Sequence, residues 1–101
     1  MSAITVNTFD FDELCSHAGV TGDIVVTIVE HGILAPSGHE PRQWRFDVNA
    51  VLVVKRVVRL RRDLDLDWQG AALALELFDE NQRLRAENAY LRRRLERFID
   101  V

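Results

Sequence analysis

TGDIVVTIVEHGIL (residues 21–34) can be read in two ways, and the choice decides the fold. Ile24 to Val29 are six β-branched residues in a row, which by propensity favour a strand, because a branched Cβ is stiff in a helix and packs well on a pleated surface. Yet Ile24, Val25, Ile28 and Val29 recur at helical spacing between Thr21, a suitable N-cap, and Gly32, a suitable stop. Tertiary packing overrides propensity, and the neighbouring segments favour a helix over roughly 22–31.

Upstream, Asp10 is placed to cap a short helix, FDELCSHAG (11–19), with Phe11, Leu14, Cys15 and Ala18 on one face and Gly19 at its end. ITVN (4–7) has the composition of a short opening strand. Downstream, ILAPSGHEPRQWRF (33–46) sets two apolar stretches, IL and WRF, on either side of a Pro/Gly turn, a signal for a longer-loop β-hairpin. Helix, turn, helix, hairpin is the element order of a winged helix-turn-helix. Asp47 then caps a third helix (48–64) whose buried stripe is Val51, Val54, Val57, Val58 and Leu64. LDLDWQG (64–70) breaks that helix, and Asp67 caps a last one, with Trp68 at its first position.

The last helix, about 68–99, would extend ~48 Å at 1.5 Å per residue. Leu77, Leu84, Leu91 and Phe98 recur every seven residues as d positions; Ala74, Asn81, Asn88 and Leu95 are the a positions. Asparagine at a costs stability but fixes register and oligomer state. In a parallel pair Glu80 and Glu87 would face Arg85 and Arg92 of a second copy. The expectation is a homodimer seam along Leu77, Asn81, Leu84, Asn88, Leu91, Leu95 and Phe98. The chain divides as a winged helix-turn-helix domain (1–66) and a long C-terminal helix (67–101).

Charge is distributed unevenly. Residues 1–41 hold no Lys or Arg and six acids, Asp10, Asp12, Glu13, Asp23, Glu30 and Glu40; the remaining 60 residues hold all 13 basic residues against ten acids. Such an opening either solvates itself or presents an acidic field to a basic partner. No apolar run is long enough to span a bilayer, and MSAITVNTFDFDEL lacks the basic and apolar regions of a secretory signal. Cys15 is the single cysteine. These features lead to the expectation of a cytoplasmic protein. No Gly-rich phosphate loop, HExxH or GxSxG is present, so no catalytic residues and no cofactor are expected. Cys15, His17, His31 and His39 do not have zinc-site spacing, and no metal is expected.

The stretch WRFDVNAVLVVKRVVRLRRDLDLDWQGAALALELFDENQRLRAENAYLRRRLERF (44–98) resembles the CbpM-type chaperone modulators. VKRVVRLRRDLDLDW, the following GAALAL and the ENxxLRRRLxRF tail carry the resemblance, which extends more weakly over the rest of the chain. It implies a mainly α fold: a MerR-like winged helix-turn-helix domain with a short β-hairpin wing and a long C-terminal helix. It also implies a function without catalysis, in which the protein binds the J-domain of a DnaJ-like, nucleoid-associated co-chaperone of the CbpA type. That binding would block the co-chaperone's action on its DnaK-type partner and reduce its DNA binding. A J-domain docks through a basic helix, so an inhibitor that competes for it should be acidic. Asp10, Asp12, Glu13, Asp23 and Glu30 are the residues expected to meet it. The second helix itself supplies only Asp23 and Glu30.

The alternative is a MerR-type DNA-binding transcription regulator, with Lys55, Arg59 and Arg62 on one face of the third helix and Arg42 and Arg45 on the wing. DNA binding is not the expectation, because affinity for phosphate requires cations on the inserted helix, and 21–34 has none. A basic-zipper arrangement is excluded by the apolar DWQGAALALELF that precedes the seam. Trp68 is expected to pack under the turn between the third and last helices rather than to anchor an interface.

Overall fold

Asp10 begins the first helix by a reciprocal cap. Its carboxylate accepts from the Glu13 amide at 2.8 Å, and the Glu13 carboxylate accepts from the Asp10 amide at 2.9 Å. Two of the first-turn donors that a helix leaves open are thereby used. In the computed structural model, which describes residues 8–99, this helix is α1 (Phe11–Ala18). It follows a two-residue strand β1 (Thr8–Phe9) and closes on Gly19 in the left-handed region. Leu14 is fully buried, while Phe11, Cys15 and Ala18 pack around it. The proposed strand 4–7 lies outside the described residues.

The ambiguous stretch is helical: α2 spans Gly22–Glu30. Val25 and Ile28 are fully buried, and Ile24 and Val29 flank them. Burying a side chain of this size contributes about 1.5–3 kcal/mol, whereas helix propensities among ordinary residues differ by at most about 0.7 kcal/mol each. Packing therefore prevails over the β-branched bias. Thr21 occupies the N-cap position in extended backbone, but its side chain makes no capping bond. At the other end Gly32, at φ 74°, lets the Ile33 amide reach the Ile28 carbonyl (3.1 Å) and its own amide reach that of Val29 (3.0 Å). These paired bonds close the last turn on a residue that pays no Cβ penalty.

The segment 33–46 forms a reduced wing. Ser37 and Arg45 exchange two backbone hydrogen bonds (3.3 and 3.1 Å) across a 3-10 turn at Pro41–Gln43. Gly38, at φ 100°, lies so close to the Gln43 carbonyl oxygen that a Cβ there would meet it at 2.4 Å. The expected pairing of IL with WRF does not form. Strand β2 (Phe46–Asp47) pairs antiparallel with β1 instead, Thr8 opposite Asp47 and Phe9 opposite Phe46. Ile33 and Leu34 pack against the core as loop residues. The chain has a better use for Phe46, which is buried edge-to-face against Trp44 at 6.0 Å, with the Phe11 ring 6.1 Å from Trp44 as well.

Helix α3 (Asn49–Asp63) starts with the Asp47 carboxylate accepting from the Ala50 amide at 3.2 Å. Ala50, Val54 and Val57 face inward, and Val51 and Val58 are partly covered. Leu64, placed in that stripe by spacing, is 59% exposed. It falls after the last helical turn, where the 3.6-residue period no longer applies. The break is a tight closure on Asp65 at φ 54°, with Leu66 bonding back to Arg61 (2.9 Å) and Asp65 to Arg62 (3.4 Å). Aspartate is among the few residues that take this conformation at modest cost. Asp67 then caps α4 (Trp68–Ile99), accepting from Gly70 at 2.7 Å. Asp65 thus serves the turn through its backbone and Asp67 through its carboxylate. Trp68 is half-buried beneath it, with the Arg61 guanidinium 4.6 Å from the ring centroid.

Ala71 and Leu75 in the first turns of α4 complete the core with α1, α2 and α3. From Glu76 to Ile99 every residue of α4 is exposed. The expected fold class is the observed one: mainly helical, a winged helix-turn-helix with a short antiparallel β pair and a long C-terminal helix.

Candidate docking surfaces

The five acids expected to meet a basic partner lie on α1 and α2 and at the cap of α1. Asp10 and Glu13 are occupied in the reciprocal cap. Asp10 and Asp12 line a cleft with Phe11 and Pro41, but Arg42 shares it. Asp23 is in the first turn of α2 and Glu30 in the last, about 10 Å apart along the axis at 1.5 Å per residue. Asp12, Asp23 and Glu30 are exposed.

Charges on helices are read together with the helix ends. Asp10, Asp12, Glu13 and Asp23 sit at helix starts, where the aligned peptide dipoles leave partial positive charge and offset them. Glu30 sits at a helix end, where the partial charge is negative and adds to its own. Two acids absent from the expected set lie near that end. Glu76 and Asp79, one turn apart on α4, line a cleft with His31, Gly32, Ile33, Ala72 and Leu75. No local sequence signal marks them, since forty-odd residues separate them from α2.

Of the five basic residues weighed for nucleic acid, four are engaged by neighbouring groups. Arg45 donates to the Thr8 hydroxyl at 2.8 Å, which ties the wing to β1. Arg42 lies 4.0 Å from Glu40, and Arg59 and Arg62 each lie 3.5 Å from Asp63. Lys55 borders a separate cleft with Phe9, His17, Val48 and Leu52. Helix α2, the element that would enter a groove, carries no cation.

Along α4, Leu77, Leu84, Leu91, Leu95 and Phe98 are between 48% and 82% exposed in the single chain. Asn81 and Asn88 are exposed beside them. Arg83 holds both flanking acids, donating to Glu80 at 2.6 and 3.0 Å and to Glu87 at 3.0 Å. Its hydrogen bonds hold the Glu80 carboxyl below the usual carboxylate range, and the Arg83 pKa is raised in return, by the Glu80 hydrogen bonds foremost. At Cys15 burial, and then Asp12, push the thiol pKa up, so the thiol stays protonated and unreactive near neutrality. Among the described residues no three of His, Cys, Asp and Glu gather as a metal ligand set, and no helix is long and apolar enough to cross a membrane.

Fold and surface together define a regulatory helix-turn-helix protein of the MerR type whose second helix lacks the cations that DNA would require. Residues 9–93 match the family described as MerR HTH family regulatory protein. The chain belongs, more narrowly, to the CbpM family of chaperone modulatory proteins. It is 50% identical to the chaperone modulatory protein CbpM of Pseudomonas putida over 101 residues, the whole of both chains. To that of Pseudomonas entomophila it is 49% identical, again over both full lengths. To that of Salmonella newport it is 48% identical over 99 residues, 98% of this chain and 97% of the relative.

Proposed function

We propose that this protein is a non-enzymatic modulator that binds the J-domain of a DnaJ-like, nucleoid-associated co-chaperone and keeps it from both its DnaK-type partner and DNA. The observation that carries the reading is α2: a helix-turn-helix protein whose second helix has no cation and carries one acid in its first turn and one at its last residue. Such a helix repels a phosphate backbone and attracts a basic protein helix. The names of the relatives, chaperone modulatory proteins of about half-identical sequence, support the chaperone side of the reading. Action is by occlusion, steered by charge and weakened by salt. The protein works as a homodimer joined along the leucine and asparagine seam of α4, which is otherwise left open to water.

Titration into a fluorescently labelled J-domain from the same cell's nucleoid-associated DnaJ-like protein, followed by anisotropy, tests this. Saturable binding that weakens with added salt is the expected result. No binding into the high micromolar range, together with salt-sensitive binding to duplex DNA, refutes it.

A further inference from the structure

We infer that the partner's basic helix docks across the cleft between the end of α2 and α4, over Ile33 and Leu75 and between Glu30, Glu76 and Asp79. The inference rests on the J-domain reading and moves its site away from the first-turn acids of α1 and α2. The cleft has an apolar floor: Ile33 and Ala72 are partly covered and Leu75 is almost fully so. Its volume of about 280 Å³ admits one or two side chains rather than a cofactor. An occupant must therefore lie across it and lower an aliphatic side chain onto that floor.

The rim selects the sign of the occupant. Glu76 and Asp79 are exposed and three residues apart, so both stand on one side of α4. Glu30 is exposed at the end of α2, next in sequence to the cleft-lining His31 and where the dipole adds negative charge. Glu30 and Glu76 make no ion pair among the described residues, and Asp79 is positioned by Arg56 at 3.2 Å. His31 also lines the cleft, its ring held by Nδ1 at 2.9 Å from the Thr27 carbonyl. The matching element is a helix with lysine or arginine at i and i+3 or i+4 around an aliphatic residue. Two other clefts have a cation in their own lining: Arg42 in the one at Asp12 and Lys55 in the one at Leu52.

The experiment compares two double reversals in the J-domain titration, Glu30→Lys with Glu76→Lys and Asp12→Lys with Asp23→Lys. All four side chains are exposed, and circular dichroism with sedimentation confirms that fold and mass are kept. The cleft variant is expected to raise Kd at least about tenfold and flatten its salt dependence, with the other pair changing Kd less than about threefold. The opposite ranking, or equal losses, overturns the site while leaving the J-domain reading in place. Failure of the unmodified protein to bind overturns both. A change of mass confined to the cleft variant overturns the inference in favour of a second copy of this chain, whose Arg92–Arg94 run would then be the occupant.

Discussion

Replacing Leu84 and Leu91 with aspartate should convert the protein to a monomer without unfolding its globular head. The magnitude follows from what the single chain leaves open. The five apolar side chains of the seam, Leu77, Leu84, Leu91, Leu95 and Phe98, are 48–82% exposed. Full burial of a leucine or phenylalanine is worth about 1.5–3 kcal/mol, so covering the open part of the seam on two chains gains roughly 9–18 kcal/mol. Association costs roughly 4–15 kcal/mol in lost freedom, so the pair cannot spare much. The double substitution removes about 3–6 kcal/mol of that gain over two chains and sets like charges across the seam, a weakening of roughly 10²–10⁴-fold. Neither leucine touches the core cluster, so the head should keep its near-ultraviolet signal. Sedimentation velocity over a concentration series into the high micromolar range reads the result directly: twice 11.6 kDa for the unmodified protein and 11.6 kDa for the variant. A monomeric unmodified protein, or a variant that still pairs, refutes the reasoning.

Two further substitutions test the fold. Ile28→Ala removes a fully buried side chain from α2 and should cost about 2–5 kcal/mol, seen as a lower urea midpoint at unchanged slope. Should the alanine variant not fold, Ile28→Val, at about 0.5–1.5 kcal/mol, gives the same reading, and a midpoint unmoved by either shows that this face is not packed. Asp67→Ala deletes the cap on Gly70 and should lower stability by about 0.5–2 kcal/mol, a fall in Tm of several degrees that Asp67→Asn largely restores. An alanine variant as stable as the unmodified protein would mean that the cap contributes nothing.

Much of the architecture is legible in the sequence because its signals are local. Asp10, Asp47 and Asp67 are each followed by amides within three residues, and all three accept from them. The heptad of α4 is likewise readable, because nothing in a small head can cover a helix of 32 residues. Where readings failed, a distant partner decided. WRF reads as the partner of the nearby IL, but Phe46 pairs with Phe9, thirty-seven residues earlier. Pleated strands pair with whatever edge the core brings alongside, and a two-residue strand holds too little pattern to announce it. Leu64 was placed on a stripe that the helix abandons one residue too soon.

The candidate site divides in the same way. The absence of cations in α2 can be read from residues 21–34 alone, since a missing charge needs no geometry to be noticed. So can the excess of acid before residue 42. Which acids share a surface cannot be read there, because helix dipoles, caps and neighbouring arginines change the worth of each carboxylate. Asp10 and Glu13 are acids by composition and caps by structure. Glu76 and Asp79 belong to the basic half by composition and to the acidic cleft by structure. The sequence by itself determined the helices, their ends, the open seam and the sign of the N-terminal half, all set within a few turns of chain. Tertiary structure alone decided which strands pair and where negative charge collects. The first depends on β1 meeting β2 across thirty-seven residues of chain, the second on α4 lying beside the segment that follows α2, and no local pattern encodes either contact.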